Sequence, residues 1–120
     1  MSSWTHVVGN IRVDGIPEIN NVEDIKIILG PICTYNNWID NTKLPCGSEG
    51  SLQYKIITYG SGLPWITIPI WGDLRDYKNV AEITEWWEKT LKDLDWVRDA
   101  VLQIKVECKE PITLTYSSDI

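Results

Sequence analysis

The fold turns on Trp65-Ile66-Thr67-Ile68-Pro69-Ile70-Trp71-Gly72-Asp73-Leu74-Arg75-Asp76-Tyr77. Its first half has a two-residue period, with Ile66, Ile68 and Ile70 pointing inward, so residues 65–71 read as a strand with one buried face. Pro69 has no N–H to give to a ladder, which predicts a bulge or a locally unpaired segment beside it. A helix follows closely. Asn79 with Glu82 makes an N-terminal cap signature, and Val80, Ile83, Trp87, Leu91 and Leu94 trace one helical face. Residues 71–77 therefore read as a strand-to-helix turn that holds a glycine and three charged side chains. Rigid scaffolds commonly carry functional groups in such turns.

Working outward, residues 51–58 read as a strand with Leu52, Tyr54 and Ile56 on one face, closed by the turn Tyr59-Gly60-Ser61-Gly62. Residues 4–14 alternate too. Val7, Ile11 and Val13 share one face with Gly9 between them, and Trp4, His6, Val8, Asn10 and Arg12 share the other. Asn20 with Glu23 resembles a capping box for a helix of about two turns carrying Val22, Ile25, Ile28 and Leu29, which Gly30-Pro31 stops. Downstream, residues 100–108 form a strand with Leu102, Ile104, Val106 and Cys108 inward. Ile112 to Tyr116 alternates again, as an edge strand or as a segment that pairs with a second copy of the chain. The order β-α-β-β-α-β predicts an α+β, ferredoxin-like split-βαβ sandwich, an antiparallel sheet with two helices on one face. At 120 residues the chain is expected to be a single domain (1–120). Residues 31–50 form a loop long enough to act as a lid, and 109–120 form an extra strand or tail.

A formal net charge of −6 disfavours nucleic acid and anionic membranes, whose binding relies on Lys and Arg. Trp occurs 7 times, Tyr 5 times and Phe not at all. These rings suit interfaces and stacking on planar ligands, although Trp86, Trp87 and Trp96 read as core. Cys33, Cys46 and Cys108 form no CxxC pair, which indicates reduced thiols in a cytoplasm. His6 is the one imidazole, so no metal site is expected, and no motif calls for a cofactor. No secretory leader and no membrane span is expected, since no basic region precedes an apolar run and nothing approaches a span.

In a split-βαβ topology the first two strands start at the end of the sheet where the third finishes. That end gathers Ser3–His6, Pro45–Ser51 and Trp71–Tyr77. Trp4 and Trp71 could stack on a base, and Arg75 is a bidentate cation for phosphate or carboxylate. Ser48 and Ser51 offer hydroxyls, the Gly47–Ser51 loop offers N–H groups, and His6, Glu49, Asp73 and Asp76 offer further polar contacts. The candidate ligand-binding set is thus Trp4, His6, Ser48, Glu49, Ser51, Trp71, Asp73, Arg75 and Asp76. Each has a plainer reading: Asp73 with Arg75 as a surface ion pair, Asp76 as a charge at a helix start, His6 as a strand residue. With one histidine, no triad spacing and no nucleophile elbow, no catalytic residue is assigned and no enzyme is expected. A second surface is the open sheet face with Asn10, Arg12, Gln53, Lys55, Trp65, Thr67 and Lys105. It lacks the paired aromatics of RNA-binding sheets and reads rather as a dimerisation face.

Ser3-Trp4-Thr5-His6, Gly9-Asn10-Ile11-Arg12-Val13-Asp14, Cys46-Gly47-Ser48-Glu49-Gly50-Ser51-Leu52-Gln53-Tyr54 and Gly72-Asp73-Leu74-Arg75-Asp76-Tyr77 together resemble a family of small phage and prophage proteins of gut bacteria. The resemblance spans residues 3–108 and brings no assigned catalytic residues. It implies a phage origin and action in the cytoplasm of an infected bacterial host. Such proteins are similar in kind to anti-defence sponges, which sequester nucleotide signals of the Thoeris or CBASS systems. The expectation is a homo-oligomeric phage protein that binds a cyclic oligonucleotide or an ADP-ribose derivative without turnover. The alternatives are a protein–protein inhibitor of a host defence effector, anti-CRISPR-like in its acidic surface, or a virion assembly protein.

Overall fold

Antiparallel pairing on both sides of the first strand, β1 (Trp4–Asp14), organises the chain. In the computed structural model, which describes residues 3–14, 21–31, 44–59 and 65–118, β1 is followed by α1 (Val22–Leu29), β2 (Gln53–Tyr54) and β3 (Ile57–Tyr59). β4 (Trp65–Arg75), α2 (Val80–Asp93), β5 (Val97–Val106) and β6 (Ile112–Ser117) complete the order. The architecture is α+β: a six-stranded antiparallel sheet of order β2-β4-β1-β5-β6, with β3 also on β4, and two helices.

Alternation divides the sheet cleanly. Val7, Ile11 and Val13 of β1 are buried with Ile66, Ile68, Ile70 and Leu74 of β4 and Leu102 and Ile104 of β5. Ile25 and Leu29 of α1 and Ile83, Trp86 and Trp87 of α2 join the same core, so both helices cover one face. At the C-terminal end of α1, Trp86 donates its indole N–H to the Leu29 carbonyl at 3.2 Å and Tyr54 donates its hydroxyl to the Gly30 carbonyl at 2.9 Å. Two carbonyls that a helix end leaves without intrahelical partners are satisfied in this way. Among the described residues no helix is long and apolar enough to cross a membrane.

Pro69 accounts for the division of the expected 51–58 strand. β2 and β3 pair with β4 in one continuous register, Tyr54 with Ile70 and Ile57 with Thr67. Between them Lys55 still donates its N–H to the Pro69 carbonyl at 3.2 Å. The return bond is missing because proline has no N–H. The locally unpaired segment is the outcome, with no slip in register.

Several expectations are corrected. β4 runs to Arg75, so residues 71–75 are strand and the turn begins only at Asp76, held at φ 53°. The reason is the pairing of residues 71–75 with the start of β1, which buries Leu74. The first helix is capped by Asn21, whose side chain accepts the Asp24 N–H at 2.8 Å, while Asn20 lies outside the described residues. Trp96 is not core: it is 55% exposed, in the tight α2–β5 link at φ 63°. Cys108 is exposed beyond the end of β5, which stops at Val106. Most of the expected lid, residues 32–43, lies outside the described residues, as does the turn at 60–62.

Gly9 sits mid-β1 on the core side, opposite Leu102. A Cβ there would collide with the Val101 carbonyl oxygen and come within 2.7 Å of Leu102 Cδ1. The collision involves backbone, which cannot swing aside. Gly9→Ala is expected to lower the unfolding free energy by about 1–3 kcal/mol in urea titrations. Val8→Ala, one residue away on the exposed face, should change it by less than about 0.5 kcal/mol.

Candidate functional site

The register of β1 against β4 builds the site. Trp4 lies opposite Arg75, His6 opposite Asp73 and Val8 opposite Trp71. All six alternate with buried neighbours, so their side chains share the sheet face away from the helices. On the other flank His6 lies opposite Lys105 and Val8 opposite Gln103 of β5. β2 adds Gln53 opposite Trp71.

The 44–51 loop closes the corner. Its ends meet in a bridge between Cys46 and Ser51, and Gly47 donates to the Gly50 carbonyl at 2.9 Å. It lies against the end of β4, with Ser48 N–H donating to the Arg75 carbonyl and Arg75 N–H to the Glu49 carbonyl, each at 2.9 Å. Gly50 allows that approach: its φ is +76°, and a Cβ would run into the Asp73 carbonyl oxygen. The amides of Gly47 and Ser48 are therefore committed to backbone carbonyls. They are not arranged as the anion-binding nest the glycine pattern suggested.

The side chains then pair. His6 Nδ1 and Asp73 Oδ1 are 2.6 Å apart, with both groups at least half exposed. Arg75 Nη1 meets Glu49 Oε1 at 2.6 Å, and its Nε lies 3.8 Å from Asp76 Oδ2. Ser48 Oγ donates to the Arg75 carbonyl at 3.2 Å and reaches Asp76 Oδ2 at 3.4 Å. Ser3 ties the N-terminal end down, its N–H donating to Asp76 Oδ1 at 3.2 Å and its carbonyl accepting the Asp76 N–H at 2.6 Å. Asp73 thus pairs with His6, and Arg75 with Glu49 and Asp76, in place of the expected Asp73–Arg75 ion pair. Adjacent odd-numbered residues of one strand point the same way but reach different cross-strand partners.

Eight of the nine candidate residues thus gather at one corner of the exposed face. Ser51 does not, because its hydroxyl is buried and donates to the Leu52 carbonyl at 3.0 Å. Trp71 is 44% exposed, beside Val8. At the α2 N-terminus, Asn79 accepts the Glu82 N–H and the Lys78 carbonyl accepts that of Val80. The second candidate surface proves to be the same face. Trp65, Thr67, Asn10 and Arg12 occupy its other end, where Arg12 stacks on Trp65 at 4.4 Å and Thr67 donates to Asn10 at 2.9 Å. Val8, Gln103 and Lys105 complete the surroundings of His6 and were missing from the candidate set. Their outward positions were visible in the alternation, but not which strand would lie beside them. Among the described residues no group of His, Cys, Asp or Glu is arranged to hold a metal ion.

Behind the corner, Thr5 is fully buried and donates its hydroxyl to the Tyr77 carbonyl. The Tyr77 hydroxyl is itself buried, close to the Glu82 carboxylate but with no hydrogen bond of good geometry among the described residues. Burial first, and then the nearby Glu82 carboxylate, push its pKa well above the ordinary phenol value.

No family model and no curated protein matches this sequence. Among solved structures, a phage SAM lyase in the apo state matches 98% of this chain and 92% of its own, with a TM-score of 0.50 and 6% sequence identity. At that identity the likeness is one of fold. It links the chain to a phage protein at the level of architecture. It also overturns the expectation that the chain is no enzyme, since the protein sharing this arrangement is described as one.

The Tyr77 environment predicts the alkaline behaviour. A phenol whose folded pKa is raised holds its proton when the unfolded chain has lost its own, so stability is retained below about pH 10 and falls above it. Urea midpoints between pH 8 and pH 11 (roughly the range that brackets phenol ionisation) should decline for the parent chain. Tyr77→Phe should flatten that decline.

Proposed function

We propose that the chain is a phage enzyme that cleaves S-adenosylmethionine, or a close sulfonium nucleoside, without water, at the corner where β1 meets the end of β4. The observation that carries this reading is the His6–Asp73 pair at 2.6 Å on the exposed face, next to Trp71. The fold likeness to a SAM lyase supports it.

The chemistry suits a sparse site. Breaking a carbon–sulfur bond of a sulfonium releases a neutral thioether, because the bond's electron pair cancels the charge on sulfur. The leaving group needs no acid and no metal. What remains is to hold a cation and to take a proton from the carbon next to the one that loses sulfur. Ionised Asp73 accepts from His6 Nδ1–H, which leaves the Nε2 lone pair outward as the base. The C–H pair then becomes the new double bond, the C–S pair goes to sulfur, and Asp73 stabilises the imidazolium that forms. Glu49 and Asp76 add negative charge near the sulfonium, while Arg75 takes the substrate carboxylate. Trp71 and Trp4 stack on the adenine, and Ser48 contributes a polar contact at the loop. Depletion of this metabolite is how the protein would act against a host defence.

Incubation with S-adenosylmethionine in ¹⁸O-labelled water should consume the substrate, release an adenosyl thioether and leave both products unlabelled. Label in a product would make the enzyme a hydrolase. His6→Ala should lower kcat by about 10²–10⁴-fold, and Trp71→Ala should act mainly on KM. Unchanged S-adenosylmethionine after prolonged incubation with folded protein would sink the reading.

A further inference from the structure

We propose that β6 is a self-pairing edge, and that two copies of the chain join β6 to β6 across a two-fold axis through Thr115. β6 ends the sheet: it pairs with β5 on one side and with no other described strand. Its register, with Ser118 N–H donating to the Arg98 carbonyl at 3.0 Å, fixes which groups point where. In an antiparallel ladder hydrogen-bonded pairs alternate, so Ile112, Leu114 and Tyr116 turn their backbone groups toward β5. The N–H and C=O groups of Thr113, Thr115 and Ser117 point away from the sheet.

Those three residues are self-complementary. With Thr115 opposite its own copy, Thr113 faces the second copy's residue 117 and Ser117 faces its residue 113. All three outward N–H groups and all three outward carbonyls of each strand are then matched by hydrogen-bonded pairs. The side chains agree with the same register. Thr113, Thr115 and Ser117 line the open face as a hydroxyl ladder across the axis. Leu114 and Tyr116 meet each other's copies on the helix side, an aliphatic–aromatic cross-strand pairing. Tyr116 and Ile112 are 42% and 43% exposed in the single chain. Tyr116, with Trp87, Leu91 and Trp96, walls an open groove of about 790 Å³ between α2 and β6.

The edge also lacks what usually keeps edges apart. Ile112–Ser117 has no charged residue and no proline, whereas solitary edges are commonly protected by lysine, proline or a bulge. In a chain of net charge −6, an uncharged strand is where two copies can meet with least repulsion.

Sedimentation equilibrium at concentrations up to ~100 μM should give a weight-average mass that rises with concentration from the 13.8 kDa of one chain toward twice that value, reaching about 1.5 times it where the concentration equals Kd. Thr115→Lys and Thr115→Glu should each weaken dimerisation by about tenfold or more, because like charges then face each other on the axis. An equal mixture of the two should recover the dimer, which simple misfolding of either variant would not permit. A monomeric parent chain would overturn the proposal, even one that captures a foreign strand peptide. So would an oligomer insensitive to both variants, or a mixture that fails to recover.

Discussion

β1 is hydrogen-bonded along nearly its whole length on both sides, to β4 over eleven residues and to β5 over nine. That double pairing fixes two things at once. Val7, Ile11 and Val13 face the helices, while His6, Val8, Asn10 and Arg12 face away. A slip of one residue would exchange the faces and expose the core. The hydrophobic requirement on one side therefore sets the polar alignment on the other: His6 meets Asp73 because Val7 and Ile11 must be inside. Gly9 tightens the constraint, since only a residue without Cβ lets β5 approach so closely at the middle of the strand.

The polar corner is organised by different means. Exposed polar pairs such as His6–Asp73 and Arg75–Glu49 contribute little to stability in water. What holds them in place is backbone: the 44–51 loop laid along the end of β4, and Ser3 joined to Asp76. These side chains take their positions from the backbone and contribute little to holding it.

Much of the fold was legible in local pattern. The period-2 runs identified the strands and their buried faces correctly, and Asn79 with Glu82 placed the start of α2. Pro69 announced its missing hydrogen bond. In each error below, the chain's surroundings overrode a local signal. Residues 71–75 looked like a turn because they hold a glycine and charges, yet β1 extends them as strand and the glycine serves close packing against the Leu52 segment. Trp96 looked like core by hydrophobicity, but the short α2–β5 link turns it outward. The candidate corner was legible as a set of segments. Its pairing pattern was not, because the partner of each side chain depends on a register set by distant parts of the chain.

By itself the sequence determined the class of each element, the two faces of the sheet and the three segments that share one end of it. These follow from periodicity and capping, which act over a few residues. Only the tertiary structure decided that His6 pairs with Asp73, that Arg75 pairs with Glu49, that the glycine loop uses amides on β4, and that β6 is left with an open edge. Those outcomes depend on which strand lies beside which and in what register. That choice is made by burial of the whole core, far along the chain from the residues whose chemistry it sets.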